Sequence, residues 1–346
     1  MGEAPVSRLS RRSRRARRFR RQRRGVVSVI GTLLALLVFF ALFGIFLTQY
    51  VPLWMTDNEA QFVAQTEGSF ALLKSEIDQQ YALGAPIVVG TPFALSSQGI
   101  PLLAQPTQGT LAFLPTTCPG GFYAKGMKGA TTLNYGQPVN SSFCVFSNVT
   151  YSVGPGGSGM YSQRIATGVL TMALPNRYYS AQQFVFEDDG VIQLQSGGHQ
   201  VMTYSPPLNV TDVAGNTTVS TALLQLYGNA STIVGQGTQE VYSHYRFTQT
   251  IHSNGKYVAS NSSYLPFNFT FEIGTQYPCA WWGYLYNVTQ VSGVPSSSIS
   301  LSPVTPPTSC TILTGLTTVL KLTVSNVNYA TFFFAGVQLS IGAGVT

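Results

Sequence analysis

An uncharged run of 32 residues, Gly25–Thr56, is the feature that most restricts how this chain can fold. The run is mostly apolar, and about 20 apolar residues in a helix already cross the hydrocarbon core of a bilayer. Eleven arginines lie directly before it, in Arg8–Arg24, and the next charged residue after it is Asp57. Because clustered arginines stay on the cytoplasmic side, the sequence predicts a single-pass cell-membrane protein with a cytoplasmic N-terminus and an extracellular domain.

The basic residues mark the orientation of the helix rather than a nucleic-acid site. The net charge of +7 divides into +10 in residues 1–25 and −3 in the rest of the chain, where no basic cluster occurs. Contact with membrane lipid is therefore expected, and nucleic-acid binding is not. The apolar run also exceeds the roughly 7–15 residues of a secretory h-region, so ordinary signal-peptidase cleavage is not expected.

Four cysteines and a high density of glycosylation sequons are typical of an exported domain. An even number of cysteines outside the cell indicates two disulfides. Three pairings remain open, of which the sequence-local one, Cys118–Cys144 with Cys279–Cys310, is preferred. Metal binding is disfavoured, because no pair has C-x-x-C spacing. The eight N-x-S/T sequons predict surface positions at Asn140, Asn148, Asn209, Asn216, Asn229, Asn261, Asn268 and Asn287.

The scarcity of charged residues suggests an acidic environment. Only 9% of the chain is charged. A fold that needs ionised carboxylates loses stability at low pH, whereas a surface of amides and hydroxyls avoids that dependence.

A helical stalk is predicted between the membrane and the domain. Pro52 is expected to kink or interrupt the membrane helix. A second helix would then start at Thr56, with Glu59 completing a capping box, and end near Gly84. One apolar stripe recurs along it: Val63, Phe70, Leu73, Ile77 and Tyr81. The stripe can pack on the protein's own domain or against a neighbouring subunit, and its own domain is favoured.

The sequence after Pro86 has the residue pattern of β-strands. Runs of Val, Ile, Thr, Tyr and Phe alternate with turn signals. The acidic stretch Glu187-Asp188-Asp189-Gly190 is predicted as a hairpin loop with a solvated tip, with Ca²⁺ binding as the weaker interpretation. The strand candidates are Ser142–Val153, Gln183–Phe186, Val191–Gln195, Val241–His252, Phe267–Ile273 and Val319–Val327.

These patterns predict an α+β fold in four parts. They are a basic arm (residues 1–25), a transmembrane helix (26–54), an amphipathic helical stalk (55–84), and a β-rich sandwich or jelly-roll-like extracellular domain (85–346).

The sequence offers little support for catalysis or cofactor binding. It has no G-x-S-x-G, H-E-x-x-H or phosphate-binding glycine loop, so no catalytic residue, metal or cofactor is predicted. Three histidines, His199, His244 and His252, are dispersed. A membrane-tethered hydrolase remains an alternative, and it would require an acid pair with raised pKa values in a cleft.

The densest aromatic segment, Tyr277–Tyr286, is a candidate ligand platform. Alternation along a strand would place Trp282, Tyr284 and Tyr286 on one face, where sugar rings could stack. Aromatic residues are more often core residues, so burial beside a Cys279 disulfide is the competing interpretation.

The N-terminus resembles that of archaeal type IV pilin-like envelope proteins. The resemblance rests on Arg24-Gly25-Val26, followed by Ser28–Thr32 and an aliphatic helix. It implies cleavage between Gly25 and Val26 by a prepilin-type peptidase, and packing with other pilin-like subunits through the helix. Ile30 stands where bacterial-type pilins place a glutamate.

Taken together, these features predict a structural or adhesive cell-surface protein, not an enzyme, with surface glycans as a candidate partner. The alternative is an uncleaved signal anchor that carries a carbohydrate-binding module and does not assemble into a filament.

Overall fold

The structure is a computed structural model that describes residues 29–116, 145–152, 160–254, 256–258, 263–307 and 317–342. Two helices and seventeen strands occur in these ranges. The helices are α1 (Val29–Leu83) and α2 (Pro278–Val291). The strands are β1 (Val88–Ala94), β2 (Thr110–Leu114), β3 (Val145–Ser152), β4 (Met160–Thr167), β5 (Val169–Leu174), β6 (Gln182–Glu187), β7 (Gly190–Gln195), β8 (Gln200–Tyr204), β9 (Leu208–Val213), β10 (Asn216–Tyr227), β11 (Ser231–Val234), β12 (Thr238–Asn254), β13 (Lys256–Val258), β14 (Ser263–Leu265), β15 (Phe267–Thr275), β16 (Ile299–Ser302) and β17 (Thr318–Ile341).

The described residues fall into two compact units. One contains α1 up to Thr56 together with Ile100–Gln105, and the other contains the remaining described residues. In the first unit, the most apolar part of α1 has none of its residues buried in the protein, and it is long and apolar enough to cross a membrane.

Pro52 distorts α1 without ending it. A proline has no backbone N–H, so the regular i to i−4 bonding of a helix fails at that position. The chain responds with a wider π-helical turn, Phe46–Tyr50, directly before the proline. The predicted new helix start at Thr56 is wrong, because α1 is continuous and the Thr56 hydroxyl donates back to the carbonyl of Pro52 (2.9 Å).

The second half of α1 packs its apolar stripe on the β-structure, as predicted. Val63, Phe70, Leu73 and Ile77 are buried, and Phe70 meets the ring of Phe93 edge-on at 5.1 Å. The helix ends at Leu83, where Gly84 takes a left-handed φ of 62° and donates to the carbonyl of Gln80 (3.0 Å).

The strands form a nine-stranded sheet, a six-stranded sheet and a short hairpin of β13 and β14. The larger sheet has the path β1-β12-β17-β15-β3-β4, with β10 and β16 also paired to β17 and β9 paired to β10. The smaller sheet runs β11-β2-β5-β6-β7-β8 and is antiparallel throughout.

Two hydrophobic cores cover both faces of the six-stranded sheet. On β6, Phe184 and Phe186 belong to the core that contains the α1 stripe, whereas Val185 belongs to the core that contains α2. This division follows from the alternation of side chains along a strand. We call the first of these the helix core and the second the aromatic core.

The 24-residue strand β17 is central to the larger sheet. It pairs with β15 over its first part and with β12 over its second part, and β10 runs parallel to it. Phe332 and Phe334 enter the aromatic core, whereas Val337 and Leu339 enter the helix core. One strand therefore supplies side chains to both cores.

The predicted α+β class is confirmed by the long N-terminal helix and the largely antiparallel strand-rich part that follows. The strand candidates correspond to β3, β6, β7, β12, β15 and β17, although β17 extends fourteen residues beyond the predicted Val327.

Candidate functional site

The acidic stretch Glu187–Gly190 forms a two-residue hairpin turn between β6 and β7. Glu187 pairs with Gly190, and both turn residues have positive φ, 44° for Asp188 and 63° for Asp189. This is the geometry of a type I′ turn, which aspartate and glycine tolerate. The predicted hairpin is confirmed, but the predicted solvated tip is wrong, since all three carboxylates are buried.

Lys74 of α1 binds the end of this turn. Its Nζ lies 3.0 Å from Asp189 Oδ2 and 3.1 Å from Asp78 Oδ2. The Tyr81 hydroxyl donates to the other oxygen of Asp78 (2.9 Å). Burial raises the pKa of Asp189, and the charge of Lys74 offsets only part of that rise.

Glu187 faces the aromatic core. Its Oε1 accepts hydrogen bonds from the Thr275 hydroxyl and from the indole N–H of Trp281 (2.6 Å). Its Oε2 has no hydrogen-bond partner in the described part of the chain. Burial raises the pKa of Glu187 to about 7, against the lowering effect of the two hydrogen bonds.

Asp188 points toward β10. Its Oδ1 accepts from the backbone N–H of Leu224 (3.1 Å). Burial raises the pKa of Asp188 to about 7, although the Leu224 N–H and the Ser147 side chain favour the ionised form. We call these three residues the acidic turn (Glu187–Asp189). Its successive carboxylates contact three different elements: helix α1, strand β10 and the start of α2.

Glu59 occupies a second buried site on α1. Its carboxylate accepts hydrogen bonds from three successive backbone N–H groups, those of Arg177, Tyr178 and Tyr179, at 2.7–3.1 Å. The Thr107 hydroxyl donates to it as well. Burial raises the pKa of this carboxyl, but the hydrogen bonds outweigh burial, and the resulting pKa is lowered.

These carboxylates join parts of the fold and do not form an open reaction site. The members of the acidic turn are at most 1% exposed, so no substrate reaches them. In the described ranges, no three histidine, cysteine or acidic side chains are grouped so as to hold a metal ion. The buried acids therefore lend no support to the hydrolase alternative, which needs an acid pair in a cleft.

The aromatic segment is helical, so its predicted strand conformation is wrong. It forms α2, with a proline in the first turn. Helical spacing brings Trp282 and Tyr286 together, with ring centroids 4.9 Å apart and planes 10° apart. Tyr284 is not part of this stack, and its hydroxyl donates to the carbonyl of Pro206 (2.8 Å). Trp281, rather than Trp282, fills the core.

A groove of about 460 Å³ lies beside this stacked pair. Tyr286 is 46% exposed and forms part of its wall. Polar side chains of Thr289, Gln290 and Ser300 lie along the same groove. An exposed ring bordered by hydroxyl and amide groups has the chemistry that a sugar ring requires, so Trp282 and Tyr286 remain the candidate ligand platform.

The predicted modification positions differ in exposure. Asn209, Asn216, Asn229, Asn268 and Asn287 are exposed. Asn148 is buried and its amide donates to Glu272 Oε2 (3.1 Å), which is incompatible with the predicted surface position. Asn140 and Asn261 lie outside the described residues, as do Gly25, Val26, Cys118, Cys144 and Cys310. Cys279 lies in the first turn of α2.

Sequence reasoning missed the roles of Glu59 and Lys74. The capping-box interpretation of Glu59 placed its carboxylate at a helix start, where no start exists. Lys74 follows Leu73 and lies three residues before Ile77, so it borders the buried stripe. A charged residue at the edge of an apolar stripe was the sequence signal that could have indicated a buried ion pair for Lys74.

No protein-family model, curated protein or solved structure matches this chain.

We expect Lys74→Met to destabilise the protein strongly at pH 8, by about 3 kcal/mol, because Asp189 loses its cation while it stays buried. The penalty should shrink toward pH 5, where Asp189 takes up a proton more readily. Urea unfolding of the detergent-solubilised full chain, followed by tryptophan fluorescence, measures both values.

Lys321→Met is the matched control, since its pair with Glu272 (3.5 Å) is partly exposed. That variant should lose under about 1 kcal/mol. Equal losses in both variants would contradict the role assigned to Lys74.

The acidic turn predicts greater stability in mild acid. In the unfolded chain Glu187 and Asp188 return to their ordinary pKa values of 4.5 and 3.8, whereas in the folded protein both are about 7. The folded state therefore holds protons that the unfolded state releases between these values. The free energy of unfolding should rise as the pH falls from about 7 toward 4.5, and this gain should be lost as the pH rises through 7.

Asp188→Asn tests this assignment, because asparagine tolerates positive φ and its Oδ1 still accepts from Leu224. The variant should be more stable than the wild type at pH 8 and should show a weaker pH dependence, by an amount on the order of a few kcal/mol. Asp57→Asn, at an exposed position, should keep the wild-type slope. An unchanged slope in Asp188→Asn would show that Asp188 does not titrate as assigned.

Proposed function

We propose that this protein is a membrane-anchored, archaeal type IV pilin-like cell-surface protein with a structural or adhesive role. The observation that carries the proposal is the exposure of the apolar half of α1. Its most apolar window has no residue buried against the rest of the chain and no charge. Such a surface requires lipid or the helices of neighbouring subunits around it.

Orientation and export are part of the same proposal. The arginine block before the helix favours a cytoplasmic N-terminus. The five exposed sequons support an extracellular glycoprotein. Cys279 is disulfide-bonded, which supports an oxidising compartment. Its pairing with Cys310 remains part of the proposal.

The acidic turn supports the further proposal that the extracellular domain works in an acidic medium. Protonation of Glu187 and Asp188 removes unfavourable buried charge, so acid strengthens this part of the fold.

Leader processing is tested by the N-terminal sequence and intact mass of the protein isolated from native membranes. A start at Val26 is expected, with Gly25 as the last residue that a prepilin-type peptidase removes. If the basic arm is intact, the leader is not cleaved, and the protein is an uncleaved anchor rather than a processed pilin-like protein. A soluble protein that starts after the apolar run would contradict membrane anchoring altogether, since the run would then be a signal sequence.

A second proposed function is binding of surface glycans at the Trp282–Tyr286 pair. The specific observation is the half-exposed Tyr286 ring, which is stacked on Trp282 and borders a groove with hydroxyl and amide side chains. Pyranose rings stack on such faces while their hydroxyls bond to neighbouring polar groups.

We expect Tyr286→Ala to abolish glycan binding while the unfolding transition stays near that of the wild type, because the ring is half exposed. Screening of the purified full chain on a glycan array measures binding, and urea unfolding measures stability. Tyr179→Ala, at an exposed tyrosine between β5 and β6, is the matched control and should bind normally. Absence of any glycan signal from the wild type would remove this function and leave the structural role.

A further inference from the structure

The loop between β1 and β2 contains a short apolar segment that belongs with the membrane helix. Ile100–Gln105 groups with α1 up to Thr56 in one compact unit, although the residues on both sides of the segment belong to the other unit. We call this segment the leucine loop, since Leu102 and Leu103 lie at its centre.

The leucine loop makes three backbone hydrogen bonds within itself. The Ile100 N–H donates to the carbonyl of Ala104 (2.9 Å). The N–H groups of Leu103 and Ala104 both donate to the carbonyl of Ile100, at 3.1 and 3.0 Å. Pro101 has no N–H to satisfy. These internal bonds lower the cost of entering a nonpolar medium, where unpaired polar groups are costly.

The leucine loop presents its leucine side chains outward. Leu102 is 105% exposed and Leu103 is 37% exposed. Leu102 also has a φ of 65°, in the left-handed region that disfavours any residue with a Cβ. A strained backbone that holds an apolar side chain fully outside the fold gains nothing in water, but it gains apolar contact in lipid.

Charge and position agree with a membrane environment. The loop and its neighbours in the chain carry no charge, since no charged residue occurs between Asp78 and Lys125. The Asn58 amide donates to the carbonyl of Gln98 (3.0 Å), so the residues that lead into the loop contact α1 next to Asp57, the first charged residue after the uncharged run. The loop itself groups with the part of α1 that precedes Asp57, where the exposed Tyr50 and Trp54 have the composition of an interfacial aromatic belt.

We propose that the leucine loop inserts into the outer interfacial layer of the bilayer beside α1, with Leu102 in contact with lipid acyl chains. The domain would then hold the membrane at two points, the helix and this loop. This inference rests on the proposed membrane anchoring of α1, and the experiment below separates the two.

The test uses single cysteines labelled with the environment-sensitive fluorophore NBD in the full chain, reconstituted in phosphatidylcholine vesicles. Leu102→Cys is expected to give blue-shifted emission and to be quenched more strongly by lipids brominated near the headgroup than by lipids brominated deep in the chain. Leu37→Cys, within the uncharged, apolar half of α1, should be quenched best by the deep bromines. Val213→Cys, at the exposed end of β9, should show water-like emission and no bromolipid quenching.

The unsubstituted chain, treated in the same way, corrects for any labelling of the native cysteines. Water-like emission at position 102 with lipid quenching at position 37 would overturn the loop insertion and leave the anchor in place. Blue-shifted emission at position 102 without bromolipid quenching would mean that protein covers the loop, and it would overturn the lipid contact. Absence of quenching at position 37 would overturn the membrane anchoring itself.

Discussion

The ion pair between Lys74 and Asp189 joins the long helix to the hairpin that separates the two hydrophobic cores. Asp189 holds the helix through Lys74, Glu187 holds the indole of Trp281, and Asp188 holds the backbone of β10. Three consecutive residues therefore fix three different elements. Apolar packing alone would permit sliding between these elements, whereas directional bonds to buried carboxylates define one arrangement.

Buried acids of this kind are tolerable only if their charge is compensated or removed. Lys74 lies between Asp78 and Asp189, and Glu187 and Asp188 titrate near neutrality. Glu59 shows the opposite solution, because three backbone N–H groups and a hydroxyl stabilise its ionised form. The two sites therefore respond in opposite directions to acid, and stability is expected to be greatest where the acidic turn is protonated and Glu59 is still charged.

Local sequence signals predicted those elements that depend on residues close together in the chain. The seven-residue spacing of Val63, Phe70 and Ile77 identified the buried helix face, and Asp189-Gly190 identified the hairpin. The burial of that hairpin was not predictable, because Lys74, Leu224 and Trp281 come from distant parts of the chain. The β-prone aromatic residues of α2 favoured a strand, although Pro278 and the spacing of Trp281, Leu285 and Val288 indicate a helix. The proximity of Trp282 and Tyr286 was thus predicted, whereas Tyr284 lies outside their stack.

Strand β17 also determines when the domain can form as the chain is made. It borders β12, β15, β10 and β16, and it supplies residues to both cores, yet it comes after all of its partners in the chain. The nine-stranded sheet and both cores are incomplete until residues 318–341 are present. Until then the helix core lacks Val337 and Leu339, and the α1 stripe with Phe70 and Ile77 is incompletely covered and open to aggregation or to chaperones. The domain is thus obliged to complete its folding after nearly the whole chain is available, rather than step by step along it.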